Sequence, residues 1–435
     1  MVGEAQVAAS GDTPLGAALH RIGHDATRMV DDLARLIAVD TAFPPGDGYP
    51  AFADLLQELL QPLGFAFRRV VVPRPLWHTE TGGAAGERTN LIATRRTDGR
   101  PVCSLYYHVD TVPAGAGWTR PPLTLTRDGD RLIGRGTADM KGTIAATLLA
   151  LRAADACGVA LAYDPILLFC TDEEGGLYPG IRYLAEQHLI EGHLLSFNGG
   201  AAPRIWAGCF GSVDLVIRVT GRSAHSGEGL EGINAIEEAV PLLVALMDLK
   251  TKVEARVSAL PPPPHYAGRQ LHARLTIAAA HGGQKGSSLP GALELIVNRR
   301  YLPEERFATV LDELRSTIEG TMADSRALGL EIETIGHLPP VDDPTGPHWP
   351  RWVRAVSEGF GFPVESFVTH GASSSSDMGW AQQAGVREIL LGGLVRPTSR
   401  HHAADEFTTI DDVTALARAI LLYLSRDFAA EERED

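Results

Sequence analysis

Residues 102–110 read Val102-Cys-Ser-Leu-Tyr-Tyr-His-Val-Asp110. A compact, largely apolar run of this length, bounded by charge, reads as a strand buried on both faces. It ends abruptly in two polar groups, His108 and Asp110. Three further segments repeat the arrangement: Pro165–Cys170 leads to Glu173 and Glu174, Leu194–Phe197 to Asn198, and Glu388–Leu391, after a loop, to His402. Helical patterns separate them at Gly142–Ala154 and Ile181–His188, and others precede them at Leu15–Val39 and Ala51–Leu63, the latter with Gly64 as its C-cap. Phe65–Val72 reads as another strand, and Asp411–Ser425 as the last helix. Strands alternating with helices predict an α/β fold, an open, mostly parallel sheet with helices on both faces. Sites in such sheets form at the carboxyl ends of the strands. All four segments place polar side chains there.

The pattern changes near Gly211. In Ser212–Thr220, Val213, Leu215, Ile217 and Val219 alternate with polar Asp214 and Arg218, as in a half-exposed antiparallel strand. A helix over Ile233–Leu249, strands near Leu271–Ala278 and Ala292–Arg300, and a helix from Glu304 to Ala323 follow. The reading is one α/β domain over 13–210 and 336–430, interrupted by a small α+β insert at 211–335 with one sheet face open to solvent or to a partner. Two domains also suit 435 residues.

A net charge of −15 argues against nucleic acid or an anionic membrane surface as partner. Cys103, Cys157, Cys170 and Cys209 are far apart in apolar stretches, which favours free thiols over disulfides. Met1–Gly11 has neither a basic start nor an apolar core, so no signal peptide is expected. No segment reads as a membrane span, and a cytoplasmic location is expected. The charged tail Glu431–Asp435 is expected to fray.

Each polar cluster is weak alone. A histidine beside an acid is more often a surface pair than a ligand, Asp139 before a helix reads locally as a cap, and Glu173-Glu174 reads as a solvated face. Here, however, Asp110 can hold the second ring nitrogen of His108, as a metal-bound imidazole requires. Gly175-Gly176 leaves room for a ligand beside the glutamates. Histidines and carboxylates gathered at one sheet edge can build a site for two divalent metals, which points to hydrolysis.

The stretches YYHVDTVP (106–113), GRGTADMKG (134–142), TDEEGG (171–176), GRSAHSGEG with GINAIEEA (221–239), NRRYLPEE (298–305) and HHAADEF (401–407) resemble, in this order, the M20 metallopeptidase and deacylase family. The resemblance runs from about Asp31 to Leu424. It implies two divalent metal ions, zinc first with cobalt or manganese as alternatives. Asp139 would bridge them, His108 would ligate one, and Glu174 and His402 the other, with His401 a neighbour. It further implies Glu173 as general base, a non-proline cis peptide after Asp139, and His225 as the group that reaches a partner subunit's site to stabilise the oxyanion. Arg300 would bind a substrate carboxylate, with Asn234 beside the substrate and Arg299 structural. It also implies that 13–210 and 336–430 form the catalytic domain and 211–335 a lid and dimerisation domain, so a homodimer through the insert is expected.

The pattern breaks at Asn198, where the family places an acidic ligand for the His108 metal; an amide oxygen is a weaker ligand. Ser287 stands where Asn is common, and Asn298 where Asp is common. Three readings remain: a two-metal hydrolase with a weak first site, a one-metal hydrolase, or a binder without turnover. The first two are favoured because Glu173, His225 and both metal histidines are present. The substrate expected is a small N-acyl amino acid or dipeptide-like amide, with an N-carbamoyl amino acid as the alternative. The serine run Ser373–Ser376 and the arginines Arg396 and Arg400 hint at an anionic substrate end.

Overall fold

The computed structural model describes residues 13–79, 83–97 and 99–426; the expectations for Met1–Gly11 and Glu431–Asp435 lie outside them. The chain divides into two compact units. The first runs to Trp206 and resumes over Pro344–Thr369 and from Trp380; the second is Ala207–Asp343 with His370–Gly379. The expected boundaries do not include that return of 370–379. It is held by long-range main-chain bonds within the second unit: the Phe210 amide donates to the carbonyls of Ala372 and Ser374, and the Gly371 amide to that of Pro261.

The first unit is built on a six-stranded sheet. Its spatial order is Ala66–Val71, Thr89–Thr94, Asp164–Cys170, Val102–His108, His193–Gly200 and Ile389–Val395. The last four run parallel, and the first two are antiparallel additions at one edge. Every residue of Asp164–Cys170 is buried, as are the last six of Val102–His108. Successive side chains point to opposite faces, so both faces are covered, and helices supply the cover. Thr89–Thr94 was not foreseen, because Asn90 and its flanks give a weak strand signal. Tertiary bonds compensate: the Asn90 amide donates to the Val70 carbonyl at 3.2 Å and accepts the Thr171 N–H at 3.0 Å.

The expected helix Leu15–Val39 is two, Pro14–His24 and Ala26–Ala38. Asp25 leaves the helical conformation at the join and takes Arg21 as its partner, which suits a residue that competes with helical backbone bonding. Trp349–Phe360 forms a further helix that buries Trp349, Trp352, Val353 and Val356. That spacing is helical, but Pro350 obscures it in the sequence; Pro is tolerated in a first turn. Among the described residues no helix is long and apolar enough to cross a membrane.

The second unit holds a four-stranded antiparallel sheet, ordered Arg274–Gly282, Ala292–Tyr301, Gly211–Thr220 and Gly329–Leu338. Val213, Leu215, Ile217 and Val219 are fully buried on one face. Against them pack Leu242, Leu246, Leu249 and Val253 of helix Val240–Glu254, and Val310, Leu314, Ile318 and Met322 of helix Phe307–Met322. Both rows follow the three-to-four residue spacing of one helical face. Gly329–Leu338 was missed because a register shift at Thr334/Gly336 breaks its period of two. The expected helix Ile233–Leu249 is a short turn, Ala235–Glu238, followed by Val240–Glu254.

Candidate metal centre

The candidate site lies at the carboxyl edge of the first unit's sheet. His108 ends its strand and is 1 % exposed. Its Nδ1 faces the main-chain carbonyl of Asp110 at 3.0 Å, while the Asp110 carboxylate is 3.8 Å away. This corrects the expectation that the Asp110 side chain holds the ring; the carbonyl does so. A proton on Nδ1 leaves Nε2 as the lone-pair nitrogen. The Asp110 carboxylate instead accepts the Glu174 N–H at 2.8 Å, tying two loops together.

Asp139 is not a helix cap: helix Lys141–Cys157 starts after Met140 with no side-chain cap bond. The Asp139–Met140 peptide is cis. The loop is shaped by Glu406, whose buried carboxylate accepts the amides of Gly136, Ala138 and Asp139 at 2.9–3.1 Å and pairs with Arg135 at 2.7 Å. Held this way, Asp139 presents Oδ1 to His108 Nε2 at 3.0 Å and Oδ2 to His402 Nε2 at 3.2 Å. One carboxylate thus faces both imidazoles.

Glu173 and Glu174 follow a turn at Asp172, which has a positive φ of 61°. The Asp172 carboxylate accepts Tyr49 Oη at 2.7 Å and pairs with fully buried Arg88 at 2.8 Å. A Cβ on Gly176 would lie 2.3 Å from that of Asp172. Gly176 therefore serves the turn, a correction to the idea that it leaves room for a ligand. Glu174 reaches His402 Nε2 with both oxygens, at 3.1 and 3.2 Å. Asn198 lies near the end of its strand, and its Nδ2 donates to Glu173 Oε1 at 2.6 Å.

Donor atoms of Asp139, Glu174 and His402 lie within 4.8 Å of one another, as do those of His108, Glu173 and Glu174. His401 belongs to neither group. The electrostatics fit a cation. Hydrogen bonds to Asp139 and Glu174 push His402 up to about 10. Burial opposes charge on His108, but the surrounding acids, Asp139 foremost, raise its pKa. Burial raises Glu174 and the nearby Asp139 charge raises it further. At Asp139 burial acts upward too, yet the two imidazoles hold it below the usual carboxylate range. A cluster whose acids favour positive charge at its histidines has the nitrogen and oxygen donors that divalent metals take.

The remaining expected residues lie in the second unit. Exposed His225 accepts the Gly227 N–H on Nδ1 at 3.2 Å, which places a neutral ring's proton on Nε2. Arg300 donates to Ser375 Oγ at 2.6 Å. Asn234 caps a helix, accepting the amides of Ile236 and Glu237 and donating to the Glu237 carboxylate; a substrate contact gains no support from this geometry. Asn298 donates to Asp214 and Ser212, and Arg299 is buried against Glu305. All four cysteines are free, three of them buried and Cys157 partly so. Sequence reading missed Glu406, Arg135, Asp172 and Arg88. The first three lie inside the quoted motifs, but nothing local says that an acid at 406 serves amides some 270 residues earlier.

Comparison with known proteins agrees with the fold. The sequence profile of Peptidase family M20/M25/M40 matches residues 104–426. The acetylornithine deacetylase of Proteus mirabilis is 31 % identical over 284 residues, covering 64 % of this chain and 66 % of that protein. That of Salmonella arizonae is 31 % identical over 218 residues, covering 50 % and 53 %, so the chain spans about half the length of this relative. The structure of the di-peptidase Dug1p from Saccharomyces cerevisiae superposes with a TM-score of 0.75 at 16 % identity, covering 94 % of this chain and 98 % of that one. The profile match over most of the chain decides the assignment: the protein belongs to peptidase family M20/M25/M40.

Proposed function

We propose that this protein is a metal-dependent amidohydrolase that cleaves the amide of a small N-acyl amino acid or dipeptide-like substrate. The observation that carries the reading is the convergence of His108, Asp139, Glu174 and His402 on one sheet edge, with Glu173 beside them. Asp139, facing both imidazoles, would be shared by two divalent ions, zinc first and cobalt or manganese as alternatives. His108 would complete one position, Glu174 and His402 the other. Bound there, such ions supply Lewis acidity and lower the pKa of water. Glu173 accepts the proton of the attacking water and returns it to the leaving amine. The family resemblance adds His225, whose Nε2–H would serve the oxyanion in a partner subunit's site, and Arg300, whose guanidinium would bind the substrate carboxylate. Acetylornithine deacetylase and a di-peptidase among the similar proteins suit this substrate class. A homodimer through the second unit is supported by Val240, Val244 and Met247, a half-exposed apolar stripe along the solvent side of helix Val240–Glu254.

The test is amine release from a panel of N-acetyl and N-succinyl amino acids, dipeptides and N-carbamoyl amino acids, with protein loaded with zinc, manganese or cobalt. Turnover of an acyl amino acid or dipeptide is the expected result. Release only from carbamoyl substrates would move the assignment to a carbamoyl amidohydrolase, and no release from any would overturn it.

A further inference from the structure

Asn198 occupies the strand end from which a third donor to the His108 position would come, yet its amide nitrogen points at another residue. Nδ2 lies 2.6 Å from Glu173 Oε1. An ionised carboxylate can only accept, so the donor end of the amide must face it. We infer that Asn198 is a positioning residue for Glu173: its amide N–H holds carboxylate oxygen Oε1 and so sets how the general base is presented.

The chemistry of the pocket gives the amide this task. Asp110, Asp139, Glu173 and Glu174 already crowd the edge. An acid at 198, where the family places one, would need a cation to offset its repulsion with Glu173; the amide needs none, because it donates to that carboxylate. The amide replaces that repulsion with a charge-assisted hydrogen bond. Turned this way, Asn198 has only its carbonyl oxygen, a neutral donor, left to offer a cation. Metal retention then rests on the anionic donors Asp139 and Glu174 with the two histidines.

The inference rests on the proposed role of Glu173, and its test separates the two. Asn198→Ala and Asn198→Asp are compared with wild type for metal content after dialysis against zinc, for manganese affinity by calorimetry, and for kcat and KM on the best amide of the panel. A positioning role predicts that Asn198→Ala keeps the wild-type metal content and KM while kcat falls about 10–100-fold, the scale at which residues behind the reacting groups act. Asn198→Gln, which keeps the donor, should restore part of kcat. Asn198→Asp should bind manganese more tightly than wild type yet turn over more slowly, since Glu173 gains a ligand neighbour and loses its donor. Loss of a metal equivalent in Asn198→Ala, or unchanged kcat in both Ala and Asp variants, would overturn the inference and leave the hydrolase reading standing. A wild type without turnover on any substrate would remove both.

Discussion

His402 and His193 sit at opposite edges of one sheet, and the fold drives their protonation in opposite directions. At the carboxyl edge, His402 faces Asp139 and Glu174 and is pushed up to about 10. At the amino edge, His193 opens its strand beneath the His348 ring, stacked with centroids 3.8 Å apart, and shares a hydrogen bond with Tyr423 Oη. Burial, then the neighbouring His348 and Arg351, push it down to about 3. The acid at this edge, Glu388, is engaged by His348 through its Nδ1 at 2.6 Å and its main-chain N–H. Both edges are polar clusters of histidine and carboxylate. The amino edge closes on itself, its one acid already engaged by His348. The carboxyl edge gathers more negative charge than its histidines balance, so it stays open to a cation. A histidine beside acids therefore says little until the acids' other partners are counted.

Four experiments sharpen or break this contrast. If the carboxyl edge is a working site, Glu173→Gln should lower kcat by about 10²–10⁴-fold with metal content intact; steady-state kinetics and elemental analysis check this. A variant as active as wild type would remove Glu173 from the chemistry. Removing metal with a chelator should bring amide turnover to background, and adding zinc, cobalt or manganese should restore it. Turnover that survives in verified metal-free protein would contradict the contrast directly.

Glu406→Ala leaves Arg135 buried without its charge partner and three main-chain amides without an acceptor. The expected cost is about 3–5 kcal/mol in denaturant unfolding, with loss of metal retention because Asp139 loses its loop. An equal stability loss with metal affinity preserved would make Glu406 a fold residue only.

The smallest effect belongs to the amino edge. The folded pKa of His193, about 3, lies below its ordinary 6.5. Its contribution to stability is thus full above pH 6.5 and is lost as pH falls toward 3, with a slope of at most about 1.4 kcal/mol per pH unit. Asp172, pushed up to about 6 by burial, acts in the opposite sense over part of that range. The informative quantity is therefore the difference between wild type and His193→Gln, which keeps an acceptor for Tyr423 and does not titrate. Parallel stability curves from pH 7 to 4 would show that His193 carries no such linkage.

The parallel strands and their polar ends were legible because buried strands read as continuous apolar runs and their carboxyl ends as abrupt polarity. Thr89–Thr94 and Gly329–Leu338 were not, since their strand character comes from neighbours and a bulge rather than from composition. At the site, residue types and order were legible for His108, Asp139, Glu173, Glu174 and His402. The second partner of each was not: a carbonyl rather than a carboxylate holds His108, and Asn198 turns to Glu173.

The sequence by itself determined the α/β class, the sheet edge at which these polar residues gather and the family, because period, burial and motif order are local properties of the chain. Tertiary structure alone decided that Glu406 holds the Asp139 loop, that Asp172 and Arg88 set the glutamate turn, and that segment 370–379 returns to the second unit. These depend on which distant donors and acceptors meet once water is excluded, and a buried polar group must find a partner wherever the fold provides one.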